Sequence, residues 1–349
     1  MSTVKGNPKD SMKSTWRRMD RSQWTFFHWL YEVLSLHPIS LDKEVPVHQK
    51  TDKVPYMAEW SPQRFVISHA FAPIALHQLY VSYTGRNFST LGAIVFYSFA
   101  FKFIAIHQLN IVRRLSHQLG FFDGDKHERD GVPDISVAKV AHSLISTSTF
   151  RPIFTVFFSY RASQGPSTIN WYWLPVEAGL YGIVLDFWFY WYHRLMHEVD
   201  GLWKYHRTHH LTKHPNPLLA LYADFEQEIF DIAGIPLMTY FTLKLIGCPM
   251  GFYEWWICHM YVVFSELAGH SGLRLAIVPP SPFSWLLRLL NSELIIEDHD
   301  IHHRHGWKKS GNYGKQTRLW DRLFGTLRDR IECQEENIDY NNTIEFPLF

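Results

Sequence analysis

The sequence has few residues that could cross-link the chain and almost no net charge to attract a partner. Only three of its 349 residues are cysteines and no Cys-x-x-Cys pair occurs, which argues against a disulfide framework and a thiolate metal site. Lysine and arginine number 34 against 33 acidic residues, so the charge gives no basis for nucleic-acid binding. We therefore expect a reducing, cytosol-facing site and no nucleic-acid partner.

Several other patterns are missing as well. No internal repeat or low-complexity tract occurs, and no His-Glu-x-x-His motif of a zinc hydrolase is present. Residues 1–24 mix basic and acidic side chains without a short apolar core or a small-residue cleavage site, so we expect no cleaved signal peptide.

Aromatic and apolar side chains are what the sequence has in excess. Aromatic residues make up 16% of the chain and hydrophobic residues 46%, and amphipathic rings are enriched where proteins meet a bilayer interface. Residues 26–36 are aromatic and lightly charged, a pattern shared by interfacial helices and by buried helices of soluble proteins. The composition predicts membrane association.

The apolar runs predict membrane hairpins. Residues 65–85 carry no charged side chain, and residues 87–112 carry only Lys102, so both are long and apolar enough to span a bilayer. Residues 140–160, interrupted by Arg151, and residues 162–192 predict a second, shallower hairpin.

A third apolar pair covers residues 229–265 with a break at Gly247. The predicted class is an all-α, multi-pass membrane domain with a cytosol-facing, histidine-rich cap. The expected divisions are an N-terminal cytosolic or interfacial segment (1–64), a first hairpin with its loop (65–140), a catalytic domain (141–330) and a C-terminal tail (331–349).

Histidine is the most unusual residue of the chain, with 21 copies, and three groups of histidines have spacings typical of metal ligands. Residues three or four apart lie on one face of a helix, so each group can present several imidazoles to one point. The groups are His193 and His197; His206, His209 and His210; and His299, His302 and His303. Because a complete hairpin separates the second group from the third, all three are expected on one side of the membrane.

The number of candidate ligands predicts two metal ions. Neutral imidazole suits iron, zinc or copper, and a zinc site usually needs three or four protein ligands. With His270, which follows the third apolar pair, the candidates number nine. His259, Glu266 and His270 share a predicted helix face, and we expect Glu266 to orient a ligand or to contact a metal ion.

Asp186 lies seven residues before His193 on the same predicted face, and we expect it to accept a hydrogen bond from an imidazole. His214 and His259 are left open as ligands. The other histidines are interpreted as packed or solvated side chains.

The histidine groups, in this order and separated by an apolar hairpin, resemble those of the fatty acid hydroxylase and sterol desaturase superfamily. The resemblance covers roughly residues 171–327 and includes the aromatic run before His193, the His-Ser-Gly at 270–272 and NYGKQTRLWDRLFGT at 312–326. It implies that Asp321 supports the site. Some fatty-acid-acting members have a histidine where this chain has Glu266, which weakens a direct transfer of fatty acid 2-hydroxylation.

The resemblance implies a membrane-bound enzyme with two iron ions that uses dioxygen to hydroxylate or desaturate a lipid or lipid-like molecule. It also implies electrons from NAD(P)H, delivered by a separate reductase and b-type cytochrome, and an endoplasmic reticulum membrane location with the site facing the cytosol. Aromatic side chains are expected to line the substrate path: Trp188, Tyr190, Trp191, Trp255 and Trp256.

Three other functions compete with this interpretation. A membrane zinc hydrolase also uses histidine-rich helices, but it needs a carboxylate base within the motif. A metal transport or storage protein needs a path of ionisable residues through the membrane, for which His69, His77 and Lys102 are the candidates. An inactive family member is expected to have lost at least one histidine of the groups, and all are present.

Overall fold

The protein is described by a computed structural model that covers residues 7–37, 41 and 43–349. Helices account for 61% of the residues, so the prediction of a mainly helical fold is confirmed. The α-helices of the described ranges are α1 (Phe26–Val33), α2 (Trp60–Thr84), α3 (Thr90–Leu119), α4 (Val137–Ser159), α5 (Leu174–Glu198), α6 (Asp200–His206), α7 (Phe225–Ile229), α8 (Ile235–Leu245), α9 (Phe252–Gly269), α10 (Ser284–Leu289), α11 (Ile296–His305) and α12 (Leu319–Leu323).

The first predicted hairpin is formed by α2 and α3. Helix α2 ends at Gly85, whose φ of +65° is a left-handed conformation that glycine adopts without strain. Helix α3 begins after Ser89, whose hydroxyl accepts a hydrogen bond from the amide of Gly92. Among the described residues these two helices alone are long and apolar enough to cross a membrane. Exposed apolar side chains such as Phe99 and Phe103 cover α3, as expected of lipid-facing helices, which indicates membrane association.

The second and third predicted hairpins are helical, with bounds that differ from the prediction. Helix α5 begins at Leu174 instead of near residue 162, because the preceding residues, which include Pro166, form turns, and it continues to Glu198. The third pair consists of the short α8 and the longer α9, joined through residues 246–251. A single π-helical turn, Phe230–Gly234, precedes α8.

Helix α9 lies at the centre of the molecule and contacts α2, α3, α4, α5 and α11. Nearly all of its side chains are buried, including Trp255 and Trp256, which explains why its sequence is apolar on every face. Arg151 of α4, predicted to make that arm shallow, is only 8% exposed and donates to the carbonyl oxygen of Asp231 at 3.1 Å. The charge is therefore placed inside the protein rather than at the bilayer interface.

A small sheet corrects the prediction of a fold without strands. It has the order β2 (Ala276–Ile277), β1 (Val54–Met57), β3 (Ile338–Thr343), and both pairings are parallel. Tyr56 is paired with Ala276, and Val54 with Ile338, so strands distant in the sequence meet at one edge of the helical domain. Such short strands give too weak a periodic signal to predict from sequence.

Candidate metal centre

All nine predicted histidines meet in two adjacent clusters on one side of the helical domain. The candidate ligand atoms of each cluster lie within 4.8 Å of one another, and every residue is buried. The first cluster contains His193, His197, His206, His210 and His302, and the second contains His209, His270, His299 and His303. The three histidine groups therefore converge in space, and their position relative to a membrane stays a prediction.

Helix geometry decides how the histidines are shared between the clusters. Each pair spaced by four residues stays together: His193 with His197, His206 with His210, and His299 with His303. The additional histidine of the second and third groups crosses to the other cluster. These residues are His209 and His302.

The second histidine group departs from the predicted single helical face. His206 is the last residue of α6, whereas His209 and His210 belong to a following 3-10 turn. The change of helical type turns His209 away from the other two rings, so this group serves both clusters. The neighbouring residues His209 and His210 therefore belong to different clusters.

The outer nitrogen of six rings is held by an oxygen that can only accept a hydrogen bond. The Nδ1 atom of His193 donates to the carbonyl oxygen of Tyr313 at 2.8 Å, and that of His302 donates to the carbonyl oxygen of Gly311 at 2.6 Å. The remaining acceptors are the carbonyl oxygens of Trp307 for His197, Thr212 for His303 and Glu266 for His270, and Gln227 Oε1 for His206. A proton on Nδ1 leaves the lone pair on the inner Nε2, which is the tautomer that binds a metal.

The inner nitrogens are placed as if around a cation. His193 Nε2 and His206 Nε2 are 2.9 Å apart, and each ring already has its proton on the opposite nitrogen. Two lone pairs at this distance repel each other unless a positive charge lies between or beside them. His197 Nε2 and His303 Nε2 are buried and have no hydrogen-bond partner among the described residues. The donor set therefore fits one metal ion in each cluster.

Asp186 is buried near the clusters, but it does not accept from an imidazole as predicted. Its carboxylate accepts from the backbone amides of Lys315, Gln316 and Thr317 and from the Thr317 hydroxyl, at 2.7–3.1 Å. The loop it holds also contains Tyr313, the acceptor for His193. Asp186 thus positions the candidate ligand His193 through the backbone, one step further away than the spacing suggested.

Asp321 holds the same loop from the other side. Its carboxylate accepts from the amides of Tyr313 and Gly314 at 2.8 Å each, and from the Thr326 hydroxyl at 2.7 Å. A Cβ atom at Gly314 would lie 2.5 Å from the Thr317 carbonyl oxygen and 2.9 Å from Asp186 Oδ2. The Asn-Tyr-Gly of the closing motif is therefore a close-packed loop clamped between two carboxylates.

Glu266 lies beside the second cluster without belonging to it. Its carbonyl oxygen accepts from His270 Nδ1 at 2.8 Å, and its carboxylate is 3.7 Å from Lys315 Nζ. The backbone carbonyl of Glu266, and not its carboxylate, therefore contacts the His270 ring. The side chain of Glu266 lines the cavity described below.

Three carboxylates of α11 were missed by the sequence analysis. Glu297 accepts from the amides of residues 331–333, Asp298 from the Arg330 guanidinium, and Asp300 from Arg129 and Arg304. All three are fully buried, although they alternate with the histidines of a polar segment. The sequence does show these acidic residues next to the candidate ligand histidines. It does not show their hydrogen-bond partners, which lie in distant segments of the chain.

The two histidines left open as ligands lie outside the clusters. His214 Nε2 contacts the Asp123 carboxylate at 2.9 Å, and His259 contacts the Thr155 and Tyr181 hydroxyls at 3.1 Å each. None of the histidines interpreted as packed or solvated belongs to either cluster.

An apolar cavity abuts the clusters. Its free volume is about 100 Å³, and its walls come mainly from α3, α4, α9 and the segment 217–236. Phe189 separates it from the first cluster, since this ring lines the cavity and lies 4.9 Å from the His193 ring. The five aromatic residues predicted to line a substrate path are absent from its walls. Trp255 and Trp256 instead donate to the Tyr181 hydroxyl and to the Ala70 carbonyl.

The buried rings make the metal-free fold sensitive to acid. Burial, reinforced by neighbouring imidazoles, holds the pKa of His302 and His206 well below the ordinary value, and burial lowers the pKa of His270 to about 3. In the unfolded chain these rings take up protons near pH 6.5, so between about 6.5 and 3 the unfolded state binds more protons than the folded state. The contribution of these neutral rings to the free energy of unfolding is therefore complete above pH 6.5 and is lost as the pH falls.

Asp321 has the opposite effect, because burial raises its pKa to about 6 and acid then favours the folded state. Burial likewise raises the pKa of Asp186 to about 7 and that of Asp231 to about 6, and these carboxyls are outweighed by the nine buried histidines. We expect the unfolding midpoint of the metal-stripped protein in detergent to fall as the pH is lowered from about 6.5 to 5. A midpoint that stays level or rises over this range would contradict the assignment of neutral, buried rings.

The sequence is similar to known lipid-modifying oxidoreductases. A sequence model of the fatty acid hydroxylase family matches residues 178–326, which contain all nine clustered histidines. Over 309 residues, 84% of each chain, the protein is 44% identical to the fatty acid hydroxylase vlmA of Lecanicillium sp. No solved structure matches the chain.

More distant similarities cover about half of the chain. The protein is 27% identical over 200 residues to human alkylglycerol monooxygenase, a match that covers 56% of this chain and 38% of the relative. It is 28% identical over 171 residues to the Delta(7)-sterol-C5(6)-desaturase of Nicotiana tabacum, a match that covers 48% of this chain and 55% of the relative. The names of these relatives are those of hydroxylating, monooxygenating and desaturating enzymes.

Proposed function

The chain belongs to the fatty acid hydroxylase family, and from this premise we propose that it is a membrane-bound di-iron oxygenase. It would use dioxygen and two external electrons to hydroxylate or desaturate a lipid or lipid-like molecule. The observation that carries the proposal is the pair of adjacent histidine clusters, one of five rings and one of four. A single zinc ion usually binds three or four protein ligands, so nine imidazoles are more than one ion needs. Two neighbouring ions account for the number.

The histidines are proposed as ligands of the two ions, with the first ion held by the five-ring cluster and the second by the four-ring cluster. When bound, a pair of iron ions supplies the redox chemistry needed to oxidise an unactivated C–H bond with dioxygen. The carbonyl oxygens that hold Nδ1 of six rings fix the orientation of these ligands before any ion binds. Asp186 and Asp321 act one step further out, by holding the loop that supplies the carbonyl of Tyr313.

The cavity supplies the second requirement of such a reaction, a substrate site shielded from water. Its apolar walls can take a hydrocarbon chain, and Phe189 brings them against the first cluster. Because the cavity lies between α3, α4 and α9, a substrate would enter from the bilayer rather than from the cytosol. An apolar wall next to the metal centre also keeps water from reacting in place of the substrate.

The cellular setting is proposed from the relatives and the apolar helices. The protein would lie in the endoplasmic reticulum membrane with the metal centre facing the cytosol. Electrons would come from NAD(P)H through a separate reductase and b-type cytochrome. The names of the relatives and the apolar walls of the cavity together suggest the substrate class. It would be a fatty acyl chain, a sterol, a sphingoid base or a lipid-like secondary metabolite.

Metal analysis of the detergent-purified protein tests the proposal. We expect about two iron ions per chain, and lipid extracts from cells with the gene should contain a product absent from cells without it. A gain of one oxygen atom indicates hydroxylation, and a loss of two hydrogens indicates desaturation. If the purified protein contains zinc alone and no oxidised product is found, the oxygenase proposal is wrong and a membrane zinc hydrolase is supported instead.

A further inference from the structure

The cavity is mostly apolar, and charged side chains from four elements line one end of it. Arg151 comes from α4, Glu228 from α7, Asp231 from the π-helical turn, and Glu266 from α9. A hydrocarbon chain alone has no use for such groups, and burying them costs free energy unless they are paired. Their presence in an apolar cavity therefore needs an explanation.

Two atoms at this end have no hydrogen-bond partner among the described residues. They are Asp231 Oδ1 and Arg151 Nε, and both are buried. The rest of each group is held in place: Asp231 Oδ2 accepts from Gln227 Nε2 at 3.2 Å, and an Arg151 terminal nitrogen donates to the Asp231 carbonyl oxygen at 3.1 Å. One acceptor and one donor are thus left for a ligand, on side chains that are already positioned. An unpaired buried polar group costs about 1–3 kcal/mol, which a ligand can recover.

The acceptor residue, Asp231, lies in a segment with an unusual backbone conformation. Residues Phe230–Gly234 form the only π-helical turn of the described ranges, and such turns occur frequently at functional sites. The additional residue in this turn rotates Asp231 relative to α7. A regular α-helix through the same residues would direct the carboxylate elsewhere.

The charges at this end select among possible ligand groups. Three carboxylates, those of Glu228, Asp231 and Glu266, line the cavity together with one guanidinium, that of Arg151. Lys315 pairs with Glu266 from beyond the wall, and the Ser146 hydroxyl donates to Glu228. The excess of negative charge disfavours a ligand carboxylate, whereas a neutral group that both donates and accepts satisfies both unpaired atoms.

We propose that Asp231 and Arg151 bind a neutral hydroxyl or carboxamide group of the substrate, which is therefore a neutral amphiphile and not a free fatty acid. This inference rests on the proposed function for its reaction, but the binding site itself is defined by the cavity.

The position of the polar pair also locates the oxidised carbon. Gln227 joins Asp231 to His206, because its amide nitrogen donates to the carboxylate and its oxygen accepts from His206 Nδ1 at 2.9 Å. A polar group held by Asp231 is therefore separated from the first cluster by a single side chain. The oxidised carbon lies near the polar end of the substrate, and its position counted from that end does not change with chain length.

The test compares four probes of equal length on the wild-type, iron-loaded protein in lipid nanodiscs: dodecanol, dodecanamide, dodecane and dodecanoate. Competition against radiolabelled dodecanol measures their affinities. We expect the alcohol and the amide to bind about tenfold or more tightly than the alkane and the carboxylate, the equivalent of one hydrogen bond to a charged group. Tightest binding by dodecanoate, or equal binding of all four, would overturn the proposal without any variant being made.

Substitutions then assign the effect to the two side chains. Asp231→Asn and Arg151→Met should each remove most of the preference for the alcohol over the alkane. The matched control is Ser148→Ala, because Ser148 lines the same cavity but its hydroxyl already donates to Leu144 of its own helix. An unchanged preference in both variants, or the same loss in the control, would count against the assignment.

Iron content separates this inference from the proposed function. Protein that carries iron and oxidises lipid, but does not distinguish dodecanol from dodecane, keeps the proposed function and refutes the polar site. Protein that prefers the neutral polar probes but holds no iron keeps the polar site and refutes the di-iron assignment.

Discussion

Replacing His197 or His303 with alanine should lower the bound iron from about two ions to about one per chain and reduce oxygenation by more than about 100-fold. The Nε2 atoms of these rings are buried without a partner among the described residues, one in each cluster. Their Nδ1 atoms are held by the carbonyl oxygens of Trp307 and Thr212, so the inner nitrogens are available for an ion. Since each side chain belongs to a different cluster, each substitution should empty one position and leave the other.

The measurement is iron per chain by mass spectrometry on purified protein, together with product formation from a lipid extract. His305→Ala is the matched control, because His305 lies on the same helix as His303 but is exposed, and its ring hydrogen-bonds to the Ile301 carbonyl and lies outside both clusters. The control should keep both ions and its activity. Retention of two iron ions in both the His197 and the His303 variant would show that the clusters are not the metal sites.

Replacing Asp300 with asparagine should destabilise the protein by about 3–5 kcal/mol and release iron, although Asp300 is not a ligand. Its carboxylate is buried between Arg129 and Arg304, the first fully buried and the second largely so. Although burial by itself raises the pKa of Asp300, the two guanidiniums hold it well below its ordinary value. Removing the charge would leave the guanidiniums uncompensated inside the protein, directly behind the ligands of α11.

Denaturant unfolding of the metal-stripped variant measures this loss, and iron content measures its effect on the centre. The control is Asp200→Asn, which removes an exposed ion pair with Lys308 and should leave the unfolding midpoint nearly unchanged. A loss below about 1 kcal/mol for the Asp300 variant would show that the network does not support α11.

Several features of the site follow from local sequence alone. His193 and His197 lie on one helical face because they are four residues apart, and the same spacing keeps His299 beside His303. The apolar length of residues 65–85 likewise predicts α2, and the apolar run before Arg113, with Lys102 as its single charge, predicts most of α3. These predictions depend only on neighbours within a few turns of helix.

Other features depend on contacts between distant segments, and there the sequence was misleading. Asp186 has the spacing of an imidazole acceptor, yet it accepts from the loop at 315–317, more than a hundred positions away. The strand Val54–Met57 exists because Ile338 and Ala276 come to pair with it, not because of its own pattern. A side chain's spacing shows which residues share its face, but not what lies opposite that face.

The sequence by itself determined that this chain presents nine imidazoles in helical spacing next to apolar hairpins, because spacing and hydropathy are local properties. Only the tertiary structure decided which ring joins which cluster, that Glu297, Asp298 and Asp300 anchor the ligand helix, and that Asp231 and Arg151 meet inside the cavity. The reason is physical: a ligand set, a buried ion pair and a polar pocket each require groups from different segments to converge. Folding alone brings those segments together.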